Sequence, residues 1–319
     1  MKTIAIDPGA GAIKLVSEDG AVELPSIVAA NGAEHVSAIA GLQTSTPPGK
    51  VVTPGGTFLV GMNAHQWGQP LENLDPDRFT GTPEMEALLC AAMTLLYKQV
   101  DEIYDEVKVV VGLPLDVLTG EEALSNAQAV KDWVTGPHDW EVDGVPYTTA
   151  IKSAKVTSQP SGALFDWLLD HDGHYIPENN VIFSKKEVGI IAIGMNSLEL
   201  LGTENKVITQ RFTVGRSVGV RRMLEIINHD ELYSRGEMDA KLRLGDLDYS
   251  NALPIWSSEV SDAINKTWTN WKRFSRIIAV GGGAVLLRDM LTRKFKDRLW
   301  MPPDPVLSIA LGLWKVSLR

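Results

Sequence analysis

One cysteine, Cys90, stands among 319 residues, so no disulfide can form within the chain. The six histidines are scattered, and with a single thiol they make no cluster at metal-ligand spacing. Cys90 lies in EMEALLCAAMTLLYKQV, at helical spacing with Met85, Leu89, Ala92 and Met93, which is the pattern of a buried core thiol. No apolar run approaches the roughly 18 residues that a membrane span needs, and no apolar signal segment precedes Asp7. A cytoplasmic protein with no membrane partner is expected. Basic residues are scarce in residues 1–200, which hold 11 Lys/Arg against 27 Asp/Glu; residues 201–319 hold 19 against 13. The formal net charge of −10 argues against extensive direct contact with nucleic acid. The uneven split is either incidental or a means for opposite faces of two copies to attract.

What is present fits a globular protein, with 44% hydrophobic and 22% charged residues. The length suits two domains. A meander over 2–24 (KTIAI, AIKLV, AVELP) is followed by loop-like residues 26–50, with TSTPPGK as the clearest linker. A hairpin then turns at Pro54-Gly55-Gly56. A helix is expected over 82–100, with Thr82 at its N-cap and Pro83 in its first turn. The strand VKVVVGLPL (107–115), a helix over 119–134, a hairpin at Asp143-Gly144 and an amphipathic helix over 161–170 complete the first half. From about residue 180 the order begins again: EVGIIAIG, SLELLG and VITQRFT read as strands and VGVRRMLEIINHD as a helix. A long helix over 254–274, the strand RIIAVGGG, the helix AVLLRDMLTRKFKDRL and a last helix in DPVLSIALGLWKVSLR follow. Two such successive units imply two related α/β domains.

The repeat is visible in the residues themselves. The stretch IAIDPGAGAIKLV (4–16) returns as IIAIGMNSLELL (190–201), with Gly194 at the place of Gly9. Ala192 stands at the place of Asp7, Asn196 at that of Gly11 and Glu199 at that of Lys14. In the first copy a buried strand delivers Asp7 to its end. Gly9 and Gly11 then let backbone N–H groups approach an anion, and Lys14 adds a point charge suited to phosphate. Asp7 suits the water shell of a magnesium ion. In RIIAVGGGAVLL a strand runs into three glycines and straight into a helix, leaving backbone bare enough for a base or ribose. In TSQPSGALFDWLLD, Gln159 stands at a helix entrance, where an amide can orient a water. Read singly, these are also a hairpin turn, a tight strand–helix connection and a helix cap.

In this order and at these distances the stretches resemble the actin-like ATPases, most closely the bacterial plasmid-segregating ParM (StbA) branch. The resemblance runs through DPGAGAIK, VVVGLP, QPSGALFDWLLD, IAIGMNSLELLG, VGVRRMLEII, AVGGGAVLL and DPVLSIALGLWK, nearly the whole chain. It implies an α/β actin-like fold of two RNase H-like domains around a nucleotide cleft, here residues 1–174 with the closing helix 303–319 returning to them, and residues 175–302. It also implies ATP or GTP with Mg2+ as cofactors, hydrolysis coupled to polymerisation, and the chain itself as partner in a homopolymeric filament. A DNA-binding adaptor would link such a filament to a plasmid.

By the same resemblance Gln159 positions the attacking water and Asp7 is catalytic and metal-linked. Gly9, Ala10, Gly11, Ala12 and Lys14 form the first phosphate loop, and Gly194, Met195, Asn196 and Ser197 the second. Gly281, Gly282, Gly283 and Ala284, with the helix holding Lys241, meet the adenosine. The departure is Ala192, where the family carries an Asp. Glu199, seven residues on in the next strand, is read as too distant to replace it, so binding is expected to be retained and turnover slowed. A non-hydrolysing scaffold and a small-molecule kinase of the same superfamily are the competing readings.

Overall fold

The computed structural model describes residues 1–30, 45–73 and 75–319; the greater part of the loop expected over 26–50 lies outside them. The first half builds a ten-stranded sheet. Its strands are β1 (Lys2–Pro8), β2 (Ala12–Val16), β3 (Ala21–Pro25), β4 (Val28–Ala30), β5 (Gly49–Thr53), β6 (Gly56–Val60), β7 (Gln69–Leu71), β8 (Glu106–Leu113), β9 (Gly136–Val142) and β10 (Val145–Ser158). They are ordered β3-β2-β1-β8-β10-β9-β5-β6-β4-β7. The second sheet uses β11 (Glu187–Ile193), β12 (Leu198–Glu204), β13 (Val207–Ile208), β14 (Val214–Arg216), β15 (Arg276–Val280) and β16 (Leu299–Trp300), ordered β13-β12-β11-β15-β16 with β14 on β12. Each sheet begins with an antiparallel hairpin, β1–β2 or β11–β12, whose first strand then pairs parallel with β8 or β15. The internal echo in the sequence is thus a repeat of topology.

The helices are α1 (Ala64–Trp67), α2 (Pro83–Val100), α3 (Ala123–Val134), α4 (Gln159–Leu168), α5 (Pro177–Lys185), α6 (Val220–Ile227), α7 (Arg235–Leu244), α8 (Ala252–Thr267), α9 (Gly282–Leu286), α10 (Arg288–Phe295) and α11 (Ser308–Ser317). The strands sort their side chains by period two. Ile4 and Ile6 of β1 enter one core with α2 and α3, while Ala5 enters another with α4 and α11. In β11, Ile191 and Ile193 pack towards α6 and α8, whereas Val188, Ile190 and Ala192 join Ala5 in the core that contains α4 and α11. Those two helices are therefore sandwiched between the sheets.

Gly162 and Gly312 make this middle layer possible: a Cβ on Gly312 would lie 1.9 Å from the Gly162 carbonyl oxygen. Lys315 of α11 donates to Asp166 Oδ1 of α4 at 2.8 Å, and Ser308 donates to Asp166 Oδ2 at 2.6 Å. A buried ion pair thus joins the two helices where their backbones touch.

Several expectations are corrected. The helix expected over 254–274 ends at Thr267. Trp268 leaves the helical conformation at φ −112°, ψ 62° and packs its ring 4.5 Å from that of Phe274, fully buried, so the aromatic run closes the core instead of extending the helix. VITQRFT holds only the two-residue β13 before a 3-10 turn (Gln210–Phe212). AVLLRDMLTRKFKDRL breaks at Leu287 into α9 and α10. Thr82 takes the N-cap position of α2, but its hydroxyl makes no capping bond. Cys90 is buried as expected, and burial pushes its thiol well above the usual range. Among the described residues no helix is long and apolar enough to cross a membrane.

Candidate functional site

Between the two hairpins lies a cleft of about 750 Å3, within the usual size range of small-molecule sites. Asp7, the penultimate residue of β1, shares the face of Ala5, so alternation aims it at the cleft and away from the α2 core. It is 2% exposed. Gln159 Nε2 donates to its Oδ1 at 2.8 Å and Lys14 Nζ donates to its Oδ2 at 3.2 Å. Lys14 sits opposite Asp7 in the β1–β2 register, so the pair is fixed by the hairpin. Lys14 is half of a largely buried ion pair. Gln159 opens α4, with Ser158 as the N-cap accepting from the Ser161 N–H. The helix-cap reading therefore belongs to Ser158 and leaves Gln159 free to meet Asp7.

The first loop is held from below. Arg78 is 6% exposed and donates from Nη2 to the Pro8 carbonyl at 2.9 Å. Burial first, then the neighbouring Arg235 charge, lowers its pKa to about 10, so it stays cationic at neutral pH. Ser26 donates its hydroxyl to the Gly9 carbonyl at 2.7 Å, and its N–H meets the Gly11 carbonyl at 3.0 Å. The second loop has the same logic: its Gly194, Met195 and Asn196 carbonyls accept from the N–H groups of Val220, Arg221 and Gly219 at 3.0, 2.7 and 3.1 Å. With the carbonyls turned towards the start of α6, the loop is rigid without any side-chain scaffold.

The glycine run closes the third side. Gly281 has φ 92°, and a Cβ there would lie 2.4 Å from the Ile193 carbonyl oxygen; one on Gly283 would lie 2.3 Å from Ile193 Cγ2. These two glycines are needed for the start of α9 to pack against the end of β11. A Cβ on Gly282, between them, would meet no other described residue within 4 Å, so its backbone faces the cleft bare.

Of the residues expected from sequence, Asp7, Gly9, Ala10, Gly11, Ala12, Lys14, Gln159, Gly194, Met195, Asn196, Ser197, Gly281, Gly282 and Gly283 all line the cleft. Lys241 and Ala284 do not. Lys241 turns away to stack its ammonium 4.6 Å over the Tyr233 ring, and Ala284 is fully buried in the core behind α9. The helix of Lys241 still borders the cleft through Asp239, Leu242 and Arg243; helical phase selects those positions. Arg78 and Arg243 were missed because neither sits in a local pattern. Their partners, Pro8 and Gly11, are 70 and 232 residues away.

The larger correction concerns Glu199. Ala192 and Glu199 are direct partners in the β11–β12 register, so both point to the face that carries the cleft. Glu199 is 1% exposed and lines the cleft beside Ala192. Its Oε1 accepts from the Leu115 N–H at 2.7 Å, while Oε2 has no partner among the described residues. Burial pushes its pKa up to about 8 against the Leu115 N–H bond that lowers it, and the carboxylates of Asp116 and Asp7 raise it further. Seven residues of sequence separation are, through the hairpin, no separation at all.

Six buried side-chain polar atoms lack a hydrogen-bond partner among the described residues. Three of them, Arg78 Nε, Asn196 Oδ1 and Glu199 Oε2, belong to residues of this cleft. Such atoms are costly unless something else satisfies them. A donor set of two buried carboxylates, a lysine, an arginine and two glycine-bearing loops suits a polyphosphate with its divalent cation.

Residues 5–162 match the family model described as "Actin like proteins N terminal domain". The chain has the actin-like fold. No curated protein matches it by sequence, but solved structures match over almost its full length. The apo psk41 ParM protein is 20% identical with a TM-score of 0.71, covering 99% of this chain and 96% of that one. A ParM from a 15-stranded filament of Clostridium botulinum is 18% identical with a TM-score of 0.70, covering 98% of each chain. An archaeal actin homologue in complex with ADP is 16% identical with a TM-score of 0.73, covering 99% of each. At such identities these likenesses establish the fold: the chain carries two sheets of related topology flanking one cleft.

Proposed function

We propose that this protein binds ATP or GTP with Mg2+ between two lobes, residues 1–174 with 303–319 and residues 175–302, polymerises into filaments and hydrolyses the nucleotide slowly. The observation that carries the reading is the Asp7 carboxylate, buried at the cleft wall and held between the Gln159 amide and the Lys14 ammonium. In this reading the N–H groups of Ala10–Ala12 and Met195–Ser197 hold the phosphates, the Gly9 and Gly194 N–H groups closing the two turns on the Asp7 and Ser197 carbonyls, and Lys14 and Arg78 offset the phosphate charge. Asp7 holds a water of the metal shell. Gln159, whose amide nitrogen is already engaged by Asp7, presents its carbonyl oxygen to the attacking water. Bound magnesium would supply charge neutralisation at the phosphates. Gly282 and the glycines beside it border the nucleoside.

Turnover is slow because Ala192 leaves the end of β11, the counterpart of Asp7, without a carboxylate, and an acid on the paired strand β12 stands off that position. The filament reading is supported by relatives solved as filaments, and the nucleotide by the archaeal homologue's ADP complex. The cargo is plasmid or other DNA, joined through a separate DNA-binding adaptor, since the chain is acidic. The protein acts in the cytoplasm.

Ultracentrifugal pelleting with ATP, with GTP and with neither, read beside phosphate release, tests the proposal. Nucleotide-dependent pelleting with release slower than assembly is expected. Protein that stays in the supernatant with both nucleotides sinks the filament reading.

A further inference from the structure

The second loop lacks its acid, yet the cleft does not. Glu199 reaches the same face from the adjacent strand, opposite Ala192. It is the buried acid whose one oxygen, Oε1, is fixed by the Leu115 N–H at 2.7 Å, and whose other oxygen, Oε2, is left without a partner in the wall of the cleft. The Leu115 amide comes from the segment that follows β8, beside β1 and Asp7 in the first sheet. The bond therefore spans the two sheets and aims the carboxyl between them. Buried side-chain polar atoms are as a rule hydrogen-bonded; in this carboxyl one oxygen is bonded and the other has no partner among the described residues.

We propose that Glu199 is the second acid of the metal site: with magnesium bound, its Oε2 would accept a hydrogen bond from a water of the ion's shell, as Asp7 would from another. The inference rests on the nucleotide reading above and deepens it. The acid stands across the hairpin, at the β12 position paired with Ala192. Glu199 is a positioning residue, acting on the metal through water. Burial, with the Asp116 and Asp7 carboxylates nearby, disfavours the charged form of Glu199, the electrostatic setting of a carboxyl whose partner is a cation.

The test separates metal binding from turnover. The nucleotide dissociation constant of the intact protein is measured with excess magnesium and with a chelator, and the ratio is the metal increment. Glu199→Gln keeps the Leu115 bond through its amide oxygen and replaces the accepting oxygen by a donor. Its increment is expected to fall about tenfold, the size of one charge-assisted hydrogen bond, with affinity in chelator and melting temperature little changed. In Ala192→Asp/Glu199→Gln, with an acid restored opposite, the increment is expected to return. A Glu199→Gln protein that melts as wild type and keeps the full increment overturns the inference and leaves the nucleotide reading standing. A wild-type protein that binds neither ATP nor GTP under either condition overturns both.

Discussion

At the scale of single residues, the cleft separates what sequence can and cannot disclose. That Asp7 and Gln159 reach the cleft was legible because each stands at the end of a strand or the start of a helix, where a fold presents side chains to a ligand. Glu199 was misread because its distance was counted along the chain, whereas strand register places it beside Ala192. Lys241 was misread by helical phase, and Arg78 had no local signal at all. The geometry also sharpens the role of Gln159. Its Nε2 is committed to Asp7 at 2.8 Å, so the amide is oriented before any ligand enters. Gln159→Ala removes an acceptor for water without removing a phosphate contact, and phosphate release is expected to slow by 10²-fold or so while nucleotide affinity stays within a few-fold. Release kinetics in assembled protein and equilibrium binding measure the two effects. Equal release rates in the two proteins would take Gln159 out of the mechanism.

At the scale of elements, the strands were legible because alternation and apolar runs survive in a sheet buried on both faces. The middle layer was less so. The sequence shows α4 and α11 as two amphipathic helices, but nothing local says that they pack on each other with backbones in contact. That follows from Gly162 and Gly312 facing one another, and from Asp166 meeting Lys315 and Ser308. The contact has an energetic signature. A methyl group at Gly312 has nowhere to go, 1.9 Å from the Gly162 carbonyl and 2.5 Å from the Asp166 nitrogen, both of them backbone. Gly312→Ala forces the helices apart, and overpacking of this kind typically costs about 1–3 kcal/mol. Gly49→Ala is the control, since a Cβ there sits at an ordinary 3.6 Å from its nearest neighbour and is expected to be neutral or mildly stabilising. Denaturant midpoints compare the two. If Gly312→Ala is no less stable than Gly49→Ala, the helices are not packed this closely.

At the scale of the whole molecule, the charge asymmetry of the sequence has a use within one chain. The basic second half reaches the acidic first half through α7. Arg243 donates to Glu23 Oε1 at 2.7 Å and to the Gly11 carbonyl at 3.0 Å, while Asp239 holds its Nε at 2.9 Å. At the other end of α7, the Gly236 N–H meets Glu72 Oε1 at 3.1 Å and Arg235 lies 3.7 Å from Glu72. Helix α7 thus spans the mouth of the cleft and grips the loop that is proposed to hold phosphate. Arg243 and Glu23 are 28% and 31% exposed, so the pair is screened by solvent and worth on the order of 1 kcal/mol or less. That is too weak to hold the fold together and of the right size to bias an opening motion by a few-fold. Removing it with Arg243→Gln leaves the Gly11 carbonyl to the Ser26 N–H alone and leaves Asp239 buried without its cation. The Asp239 carboxyl already sits above the usual range because burial outweighs Arg243, so without Arg243 it takes up a proton more readily. The expected result is a nucleotide dissociation rate raised several-fold in Arg243→Gln, with the same increase in wild type on going from low to high salt, and little further salt effect in the variant. Stopped-flow displacement of a fluorescent nucleotide reads all four rates. A wild-type rate that ignores salt, together with an unaltered rate in Arg243→Gln, would mean that α7 borders the cleft without closing it.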